Sequence, residues 1–367
     1  MEKRLLCIIS SLNTGGAETF LMKVYRSLDR SKYRMDFVVS DDGFYDEEVL
    51  ELGGKIYHVP LRTAHPFKVF GAIRRIVKEN QYHSVLKLGN SPLCVTDLIA
   101  AKMGGAEICA MRSCNAPTNL SFKQKATDFV FRPILNGVAN VKLAPSDLAA
   151  CYTFGEKRSR RGEVQFLHNG VDLGVFCYDD MARERIREEF SLVGKTVIGH
   201  VGRFNKQKNH KFLLSVFSEI KKKDENAKLL LVGTGELEES IRAQASELGV
   251  LEDIVFTGVR RDVPALLSAM DVFVFPSKYE GLGVVLVEAQ TNGLYCFASA
   301  RIPQECKISN RIEFLSIEDA TLWAENILDN GTQVERATCW EEIADTRFDI
   351  KSSAKKLQAY YLGDKND

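Results

Sequence analysis

The sequence predicts an α/β protein made of two successive doubly wound domains, each a parallel sheet with helices on both faces. Short apolar runs alternate with amphipathic helical patterns through both halves of the chain, which is typical of such sheets. The length of 367 residues suits two domains. Charge also divides the chain: residues 1–165 carry 24 Lys and Arg against 17 Asp and Glu, whereas residues 166–367 carry 25 against 32.

The first half has six apolar runs that we expect to be strands: 5–9, 35–39, 56–59, 84–88, 107–111 and 139–144. Helical patterns lie between them at 17–28, 67–79 and 121–136. A polar, basic segment bounded by glycines, GEKRSRRG at 155–162, then interrupts the alternation. Such segments are common at domain boundaries, so we predict an N-terminal domain of residues 1–162.

The second half repeats the alternation, and we assign residues 163–346 to a C-terminal domain. Strands are expected at 196–201, 228–232, 253–256, 271–275 and 295–298. Helices are expected at 208–222, 236–247, 263–269, 284–292 and 318–328, with a last one at 350–361. Doubly wound sheets bind ligands at the carboxyl ends of their strands, so the loops that follow strands are the candidate site.

Several classes of protein are excluded by composition. No apolar run approaches the ~18 residues that span a bilayer, and the apolar start of the chain runs into Asn13-Thr14-Gly15-Gly16 without a signal-peptide cleavage pattern. The nine cysteines are scattered and odd in number, which indicates reduced thiols in a cytoplasmic protein. Histidine and cysteine do not cluster at ligand spacing, so no structural zinc is expected. A formal net charge of zero argues against a nucleic-acid binder.

The pair Gly15-Gly16 stands between the first strand and the first helix. Glycine lets a backbone approach a ligand closely, and a helix N-terminus favours an anion. A plain tight turn explains the pair equally well. It is not a GxGxxG sequence, which argues against a dinucleotide cofactor.

The segment 201–210, VGRFNKQKNH, follows a strand and opens a helix. Arg203 and Lys208 are two cations that can hold a diphosphate there, arginine as a fork and lysine as a point charge. A solvated charged loop is the alternative. In the segment 231–236, LVGTGE, Gly233 and Gly235 are expected to border the site, and Glu236 to complement a helix dipole.

The segment 275–289, FPSKYEGLGVVLVEA, is the most informative. An apolar strand ends at Pro276, Glu280 lies in a glycine-rich loop, and Glu288 lies on an otherwise apolar helix. A carboxylate there is expensive unless it has a partner, and a ribose diol would supply two hydroxyl donors. The backbone amides of Gly281, Leu282, Gly283 and Val284 would face a phosphate. An ordinary salt bridge is the alternative for Glu288.

The pattern Glu280-x7-Glu288 resembles the Glu-x7-Glu motif of glycosyltransferase family 4. Other motifs of that family follow in the family's order over nearly the whole chain: Gly15-Gly16, 167–172 (LHNGVD), Gly202-Arg203 with Lys208, 231–236, and 258–263 (GVRRDV). The chain is most similar to the branch that builds bacterial capsular and exopolysaccharides. The resemblance implies a GT-B fold, in which two Rossmann-like domains face each other across a cleft. It also implies that the last helix, within 347–367, returns to the N-terminal domain.

The resemblance further implies a retaining transfer from a nucleotide sugar, usually UDP-linked, with no cofactor and no essential metal. Arg203 and Lys208 would hold the donor diphosphate, Glu288 the ribose and Glu280 the donor sugar. The backbone near Arg260 would meet the base, while Gly16 and Gly233 would lie close to the donor. The N-terminal domain would bind a glycan or polyprenyl-diphosphate-linked acceptor.

One segment departs from the family pattern. Members commonly carry a histidine after the strand that corresponds to 107–111, whereas this chain reads Met111-Arg112-Ser113-Cys114-Asn115-Ala116. We therefore expect acceptor-side contacts from Arg112, Ser113, Asn115 and, after the preceding strand, Asn90. Cys114 is expected to be an inert buried thiol, because no base stands near it in sequence.

The departure leaves other functions open. A non-catalytic nucleotide-sugar-binding subunit would also lack the histidine, and UDP-sugar 2-epimerases share the architecture but not the Arg–Lys and Glu-x7-Glu pattern. The basic runs of the first half, among them Lys123-Lys125 and Arg160-Arg161, fit either an anionic membrane surface or scattered solubilising charge. The membrane hypothesis predicts a cytoplasmic protein peripheral to the inner membrane face.

Overall fold

The computed structural model describes residues 3–13, 15–114, 121–331, 336 and 346–362. The chain divides into two compact units. The first comprises Met1–Gly170 with Arg347–Asp367, and the second comprises Val171–Thr346. The polar segment 155–162, which we expected at a boundary, lies inside the first unit and contains a short helix.

The first unit has a seven-stranded parallel sheet in the order β3-β2-β1-β4-β5-β6-β7. This is the Rossmann order. Successive strands are added on one side of β1 up to β3, and from β4 onward they are added on its other side, so the strand order reverses between β1 and β4. Its strands are β1 (Lys3–Ile8), β2 (Tyr33–Val39), β3 (Ile56–His58), β4 (Ser84–Gly89), β5 (Ile108–Ser113), β6 (Val141–Ala144) and β7 (Gln165–Phe166).

In the described part of the first unit, seven helices connect these strands. They are α1 (Gly16–Ser27), α2 (Asp46–Glu51), α3 (Pro66–Glu79), α4 (Val95–Gly104), α5 (Phe122–Val138), α6 (Asp147–Phe154) and α7 (Glu156–Arg160). A single 3-10 turn, Pro92–Cys94, lies between β4 and α4.

Both faces of the first sheet are buried, which explains why its strands read as continuous apolar runs. In β1, Leu5 and Cys7 join one hydrophobic cluster, whereas Leu6 and Ile8 join the other. This alternation is the two-residue period of a strand. The β1 register is fixed on both sides, with Leu5 opposite Met35 of β2 and Ser84 of β4.

The second unit has a six-stranded parallel sheet in the order β10-β9-β8-β11-β12-β13. The order reverses between β8 and β11, as it does between β1 and β4. The strands are β8 (Thr196–Val201), β9 (Ala227–Val232), β10 (Ile254–Phe256), β11 (Val272–Phe275), β12 (Tyr295–Ser299) and β13 (Ile312–Leu315).

The helices of the second unit are α8 (Asp180–Glu189), α9 (His210–Lys223), α10 (Glu238–Glu247), α11 (Val263–Ala269), α12 (Val284–Thr291) and α13 (Ala320–Asn326). Apolar side chains of α9 and α13 pack on the sheet, with Trp323 fully buried among them.

The last helix, α14 (Ile350–Leu362), belongs to the first unit. Its residues Ile350, Ala354 and Leu357 join the cluster that contains α1 and β1. Ser353 Oγ donates to the His168 carbonyl oxygen at 3.3 Å. The final helix therefore packs where the resemblance predicted.

The alternation read from the sequence is confirmed in both halves. Seven elements of two to ten residues were not predicted, namely β7, β13, α2, α4, α6, α7 and α8. No helix among the described residues is long and apolar enough to cross a membrane.

Candidate active site

The candidate active site lies where the strand order of the second sheet reverses. Strands β8 and β11 are neighbours there, with Ile198 opposite Val272. Open α/β sheets bind ligands outside the carboxyl ends of such a pair. The loop after β8 carries Arg203 and Lys208, and the loop after β11 carries Glu280. The loops that carry Arg203, Lys208 and Glu280 therefore meet at the carboxyl ends of two neighbouring strands.

Backbone and amide contacts tie the two loops together. The Lys278 amide donates to the Gln207 carbonyl oxygen at 2.8 Å, and Asn209 Nδ2 donates to the Pro276 carbonyl oxygen at 3.2 Å. Asn209 adopts a left-handed conformation, with φ of 58°, and caps the start of α9. These bonds fix the positions of the loop side chains relative to each other.

Lys208 and Glu280 form a buried ion pair. Lys208 Nζ lies 2.7 Å from Glu280 Oε1, and only 16% and 9% of the two side chains are exposed. The ammonium also lies 4.5 Å from the ring centre of Phe275, a cation–π contact. An ammonium has three N–H donors, so the pair leaves hydrogen-bonding capacity for a ligand.

Unlike Lys208, Arg203 is exposed to solvent. Its side chain is 73% exposed, and its nearest acidic partner is Glu236, 3.4 Å away and 56% exposed. An ion pair this exposed contributes little stability. The guanidinium can therefore turn toward a bound anion at low cost, unlike the fixed ammonium of Lys208.

The glycine turn after β9 packs directly on the Arg203 loop. Gly233 has φ of 130°, and a β-carbon there would lie 2.3 Å from the Gly202 carbonyl oxygen. The Gly233 amide donates to the Gly258 carbonyl oxygen at 2.9 Å. Only glycine fits this approach, which explains the sequence and joins three of the predicted motifs.

Helix α12 begins at the end of the Glu280 loop. Its N-cap is Gly283, with φ of 76°, and no side chain caps the first amides. Leu282 is buried, and Glu288 is half-buried between the buried residues Val287 and Ala289. The uncapped helix N-terminus favours an anion, as the sequence analysis expected.

The Arg260 side chain is held by carboxylates. It forms hydrogen bonds to Asp262 at 2.8 Å and to Glu189 at 2.8 Å. Hydrogen bonding to Asp262 and then to Glu189 raises the pKa of Arg260 above its usual value. The guanidinium is thus already hydrogen-bonded to these two carboxylates. The predicted contact with the nucleotide base is therefore one made by the backbone near Arg260.

Two buried histidines beneath the site were missed by the sequence analysis. The rings of His200 on β8 and His210 on α9 meet edge to face, with centres 4.8 Å apart. His200 Nδ1 lies 2.8 Å from the Val274 carbonyl oxygen. In the described part of the chain, His200 Nε2 and both ring nitrogens of His210 have no hydrogen-bond partner.

The histidines are uncharged at neutral pH. Burial, followed by the charge of Lys208, lowers the pKa of His210 to about 4, and burial lowers the pKa of His200 well below its usual value. A β-carbon at Gly202 would lie 3.1 Å from His200 Nε2 and 3.2 Å from Lys208 Cε. The uncharged imidazole rings therefore lie close to Lys208 and add no second positive charge beside its ammonium. The apolar stripe of α9, which includes Leu213, Leu214 and Phe217, would have indicated that His210 is buried.

The stability of the chain should fall as pH drops from about 6.5 toward 4, because the unfolded chain binds protons at His210 that the folded chain excludes. His210→Phe should lose less stability over this range, since phenylalanine binds no proton. Thermal unfolding midpoints at pH 7.5 and 5.0 would measure both differences. Equal losses in the two proteins would contradict the assignment of a lowered pKa to His210.

Comparisons with known proteins identify the family. Residues 182–321 match the family described as "Glycosyl transferases group 1". The chain is also 34% identical over 370 residues to "Putative glycosyltransferase EpsF" of Bacillus subtilis (strain 168), covering 98% of this chain and 96% of that protein. The chain belongs to the group 1 glycosyl transferases. The predicted membership of glycosyltransferase family 4 is confirmed.

Two further relatives of this glycosyltransferase have names that state a substrate. One is the "GDP-mannose-dependent alpha-(1-6)-phosphatidylinositol monomannoside mannosyltransferase" of Mycolicibacterium smegmatis, 26% identical over 76% of this chain and 74% of that protein. The other is the "UDP-Gal:alpha-D-GlcNAc-diphosphoundecaprenol alpha-1,3-galactosyltransferase" of Escherichia coli, 24% identical over 83% of this chain and 81% of that protein.

A solved structure supports the fold of this glycosyltransferase. The crystal structure of Anabaena Alr3699/HepE in complex with UDP and glucose has a TM-score of 0.77 at 19% identity, covering 98% of this chain and 99% of that chain. With the two parallel sheets, this confirms the predicted GT-B fold class.

Residues of the first unit that we predicted as ligand contacts have varied surroundings. Gly16 begins α1, and Gly15 is its N-cap, with no side-chain cap. Asn90 is exposed at the carboxyl end of β4, next to the point where the first sheet reverses. Asn115 lies outside the described residues. The contacts of Gly16 and Asn90 with substrate stay predictions.

Arg112 and Ser113 are fully buried at the end of β5. Arg112 donates to Asn169 Oδ1 at 2.6 Å and to the Leu167 carbonyl oxygen at 3.0 Å, and its guanidinium lies 3.9 Å from the ring centre of Phe20. Ser113 Oγ lies 2.7 Å from Thr153 Oγ1. Arg112 thus fixes the 167–169 segment of the family motif.

Cys114 follows at the same edge. Burial raises the pKa of its thiol, and the nearby Arg112 charge opposes this only in part. A raised pKa disfavours the thiolate, which is the nucleophilic form. This agrees with the expectation of an inert thiol.

One group of possible metal ligands occurs among the described residues. Ligand atoms of Asp42, Asp46 and His58 lie within 4.8 Å of one another in the first unit. Asp42 and His58 are exposed, and Asp46 Oδ2 accepts from the Gly43 amide at 2.8 Å. Asp42 and Asp46 follow β2 and His58 ends β3, and we assign the group no role.

Proposed function

We propose that this chain is a retaining glycosyltransferase that moves a hexose from a UDP-linked donor to a lipid-linked or glycan acceptor in bacterial surface polysaccharide synthesis. The pairing of Lys208 with Glu280 at the reversal point of the second sheet, beside the exposed Arg203, is the observation that carries the proposal. It supports the proposal because two cations and a carboxylate stand at the sheet edge where open α/β sheets bind their ligands.

The donor pose follows from these groups. The diphosphate contacts Arg203, Lys208 and the uncapped amides from Gly281 to Val284. Glu280 accepts hydrogen bonds from the sugar, Glu288 accepts them from the ribose, and the backbone near Arg260 contacts the base. A close approach of the Gly16 and Gly233 backbones to the donor stays a prediction from the sequence.

The transfer needs stabilisation of the leaving group. The bond between the anomeric carbon and the diphosphate breaks, and the acceptor oxygen bonds to the same face of that carbon. The acceptor proton passes to the released diphosphate. Charge develops on the diphosphate as the bond lengthens, and cations already in place stabilise it without reorganisation. Lys208 is such a cation, because its ion pair with Glu280 holds it in position.

The choice of base rests on relatives. The E. coli relative is named for UDP-galactose and the M. smegmatis relative for GDP-mannose, whereas the HepE structure contains UDP. We favour UDP. The resemblance to the capsular and exopolysaccharide branch supports surface polysaccharide as the product. Two relatives are named for lipid-linked acceptors, which supports such an acceptor here.

Glu288→Gln is expected to weaken UDP binding about tenfold or more, because an amide cannot accept both ribose hydroxyl hydrogens as a charged acceptor does. Unfolding temperature should change little, since the amide has the same shape. Calorimetric titration with UDP and with GDP would measure the effect and the base preference. Unchanged UDP affinity in a folded variant would remove the ribose role, and tighter GDP binding would replace UDP in the proposal.

A further inference from the structure

Helix α5 turns apolar side chains toward solvent. Phe122 is 87% exposed, Phe129 81%, Val130 56% and Ile134 42%. At 100° per residue, these four lie on one side of the helix, and the remaining exposed residues of that side are Lys123, Ala126, Pro133 and Gly137. A surface helix normally shows the opposite pattern, with its polar face outward.

The orientation of α5 is fixed by its buried side. Asp128 is 3% exposed and accepts from Tyr152 Oη at 2.9 Å and from Ser91 Oγ at 3.3 Å. Leu135 is fully buried in the core. Rotating the helix to bury Phe122 and Phe129 would break the hydrogen bonds of the buried Asp128, so it would be costly. An exposed apolar face of this kind indicates an interaction site.

The charges around the face are positive. Lys123 and Lys125 are exposed in the first turn, and the only acidic residue of α5 is the buried Asp128. Elsewhere in the first unit, Lys157, Arg160 and Arg161 are exposed at α7, where Arg160 pairs with Glu156. The first unit as a whole carries 29 Lys and Arg against 20 Asp and Glu, a formal charge of +9.

We propose that the outward face of α5 docks on an anionic bilayer, with Phe122 and Phe129 in the headgroup region and Lys123 and Lys125 against the lipid phosphates. Amphipathic helices bind membrane interfaces through this combination of apolar area and lysine. A second copy of the chain fits less well, because a two-fold contact through this face would bring the same lysines together.

The position of α5 suggests what membrane docking would do for the enzyme. This part of the inference rests on the proposed function. Asp128 binds Ser91, the residue after Asn90 at the carboxyl edge of β4. Docking through α5 would therefore hold the predicted acceptor edge of the first sheet near the bilayer. A lipid-linked acceptor has its reacting end at that interface.

Vesicle flotation without any donor tests the docking separately from transfer. Wild-type protein should bind vesicles of phosphatidylcholine with 30% phosphatidylglycerol, and bind pure phosphatidylcholine weakly. Phe122→Gln/Phe129→Gln should lower binding about tenfold or more. Lys123→Gln/Lys125→Gln should lower it on anionic vesicles by about fivefold per lysine, with a weaker salt dependence.

The matched control is Phe67→Gln, which changes an equally exposed phenylalanine, 91% accessible, on α3. It should bind like the wild type. All variants should keep the wild-type unfolding temperature and UDP affinity, because the altered side chains face solvent. Absence of wild-type binding to anionic vesicles, or equal binding by Phe122→Gln/Phe129→Gln, would overturn the proposal. Self-association that disappears in this variant, without vesicle binding, would assign the face to a second copy.

Discussion

Arg203→Ala/Lys208→Ala is expected to abolish sugar transfer. Removing one preorganised donor to a developing negative charge costs about 10²–10³-fold in turnover, and the two cations address the same leaving diphosphate. Arg203 is exposed, so its loss should not affect folding, whereas the loss of Lys208 leaves Glu280 without its ion-pair partner. Turnover and UDP affinity of the double variant and of each single variant would be measured.

Lys206→Ala is the matched control, because Lys206 is an exposed lysine in the same loop. It should retain wild-type turnover and unfolding temperature. Near-normal turnover in Arg203→Ala/Lys208→Ala would remove the leaving-group role from both cations.

Glu280→Gln is expected to separate nucleotide binding from turnover. The carboxylate neutralises Lys208 and repels a diphosphate, so the amide should leave UDP affinity equal or tighter. Turnover of the UDP-sugar should fall about 10²-fold, because the sugar loses a charged acceptor and Lys208 loses the group that fixes it. Titration with UDP and initial rates with the UDP-sugar would measure the two effects.

Glu236→Gln is the control for Glu280→Gln, because Glu236 is an exposed carboxylate beside Arg203. It should change turnover little. A large loss of UDP affinity in Glu280→Gln would indicate that Glu280 supports the nucleotide site as a whole, which contradicts a role at the sugar.

The sequence predicted the site loops because strand ends and glycine turns are local signals. Arg203, Lys208, Glu280 and Gly233 all lie at strand ends that the apolar runs predicted. The ion pair between Lys208 and Glu280 could not be predicted, because its partners are far apart in sequence and meet only through the strand order. The contact between His200 and His210 was missed although they are ten residues apart, because it depends on how α9 packs on β8.

Arg112 shows a second limit of sequence reasoning. Its position after β5 suggested a ligand contact, whereas the structure buries it against Phe20 and Asn169. A charged residue at a strand end does not indicate which way its side chain turns. The outward apolar face of α5 was missed for a related reason: periodicity predicted the helix, but the side that faces the core depends on Asp128, Tyr152 and Ser91.

The release of UDP from UDP-sugars by the purified chain is the most direct test of a catalytic donor site. We expect release from at least one UDP-sugar in a panel of hexose donors, faster with lipid-linked acceptor and absent in Arg203→Ala/Lys208→Ala. The described residues from Met111 to Cys114 include no histidine at the family's usual position, and a binding subunit would share that departure. Measurable UDP-sugar binding with no release from any donor would instead identify a non-catalytic subunit.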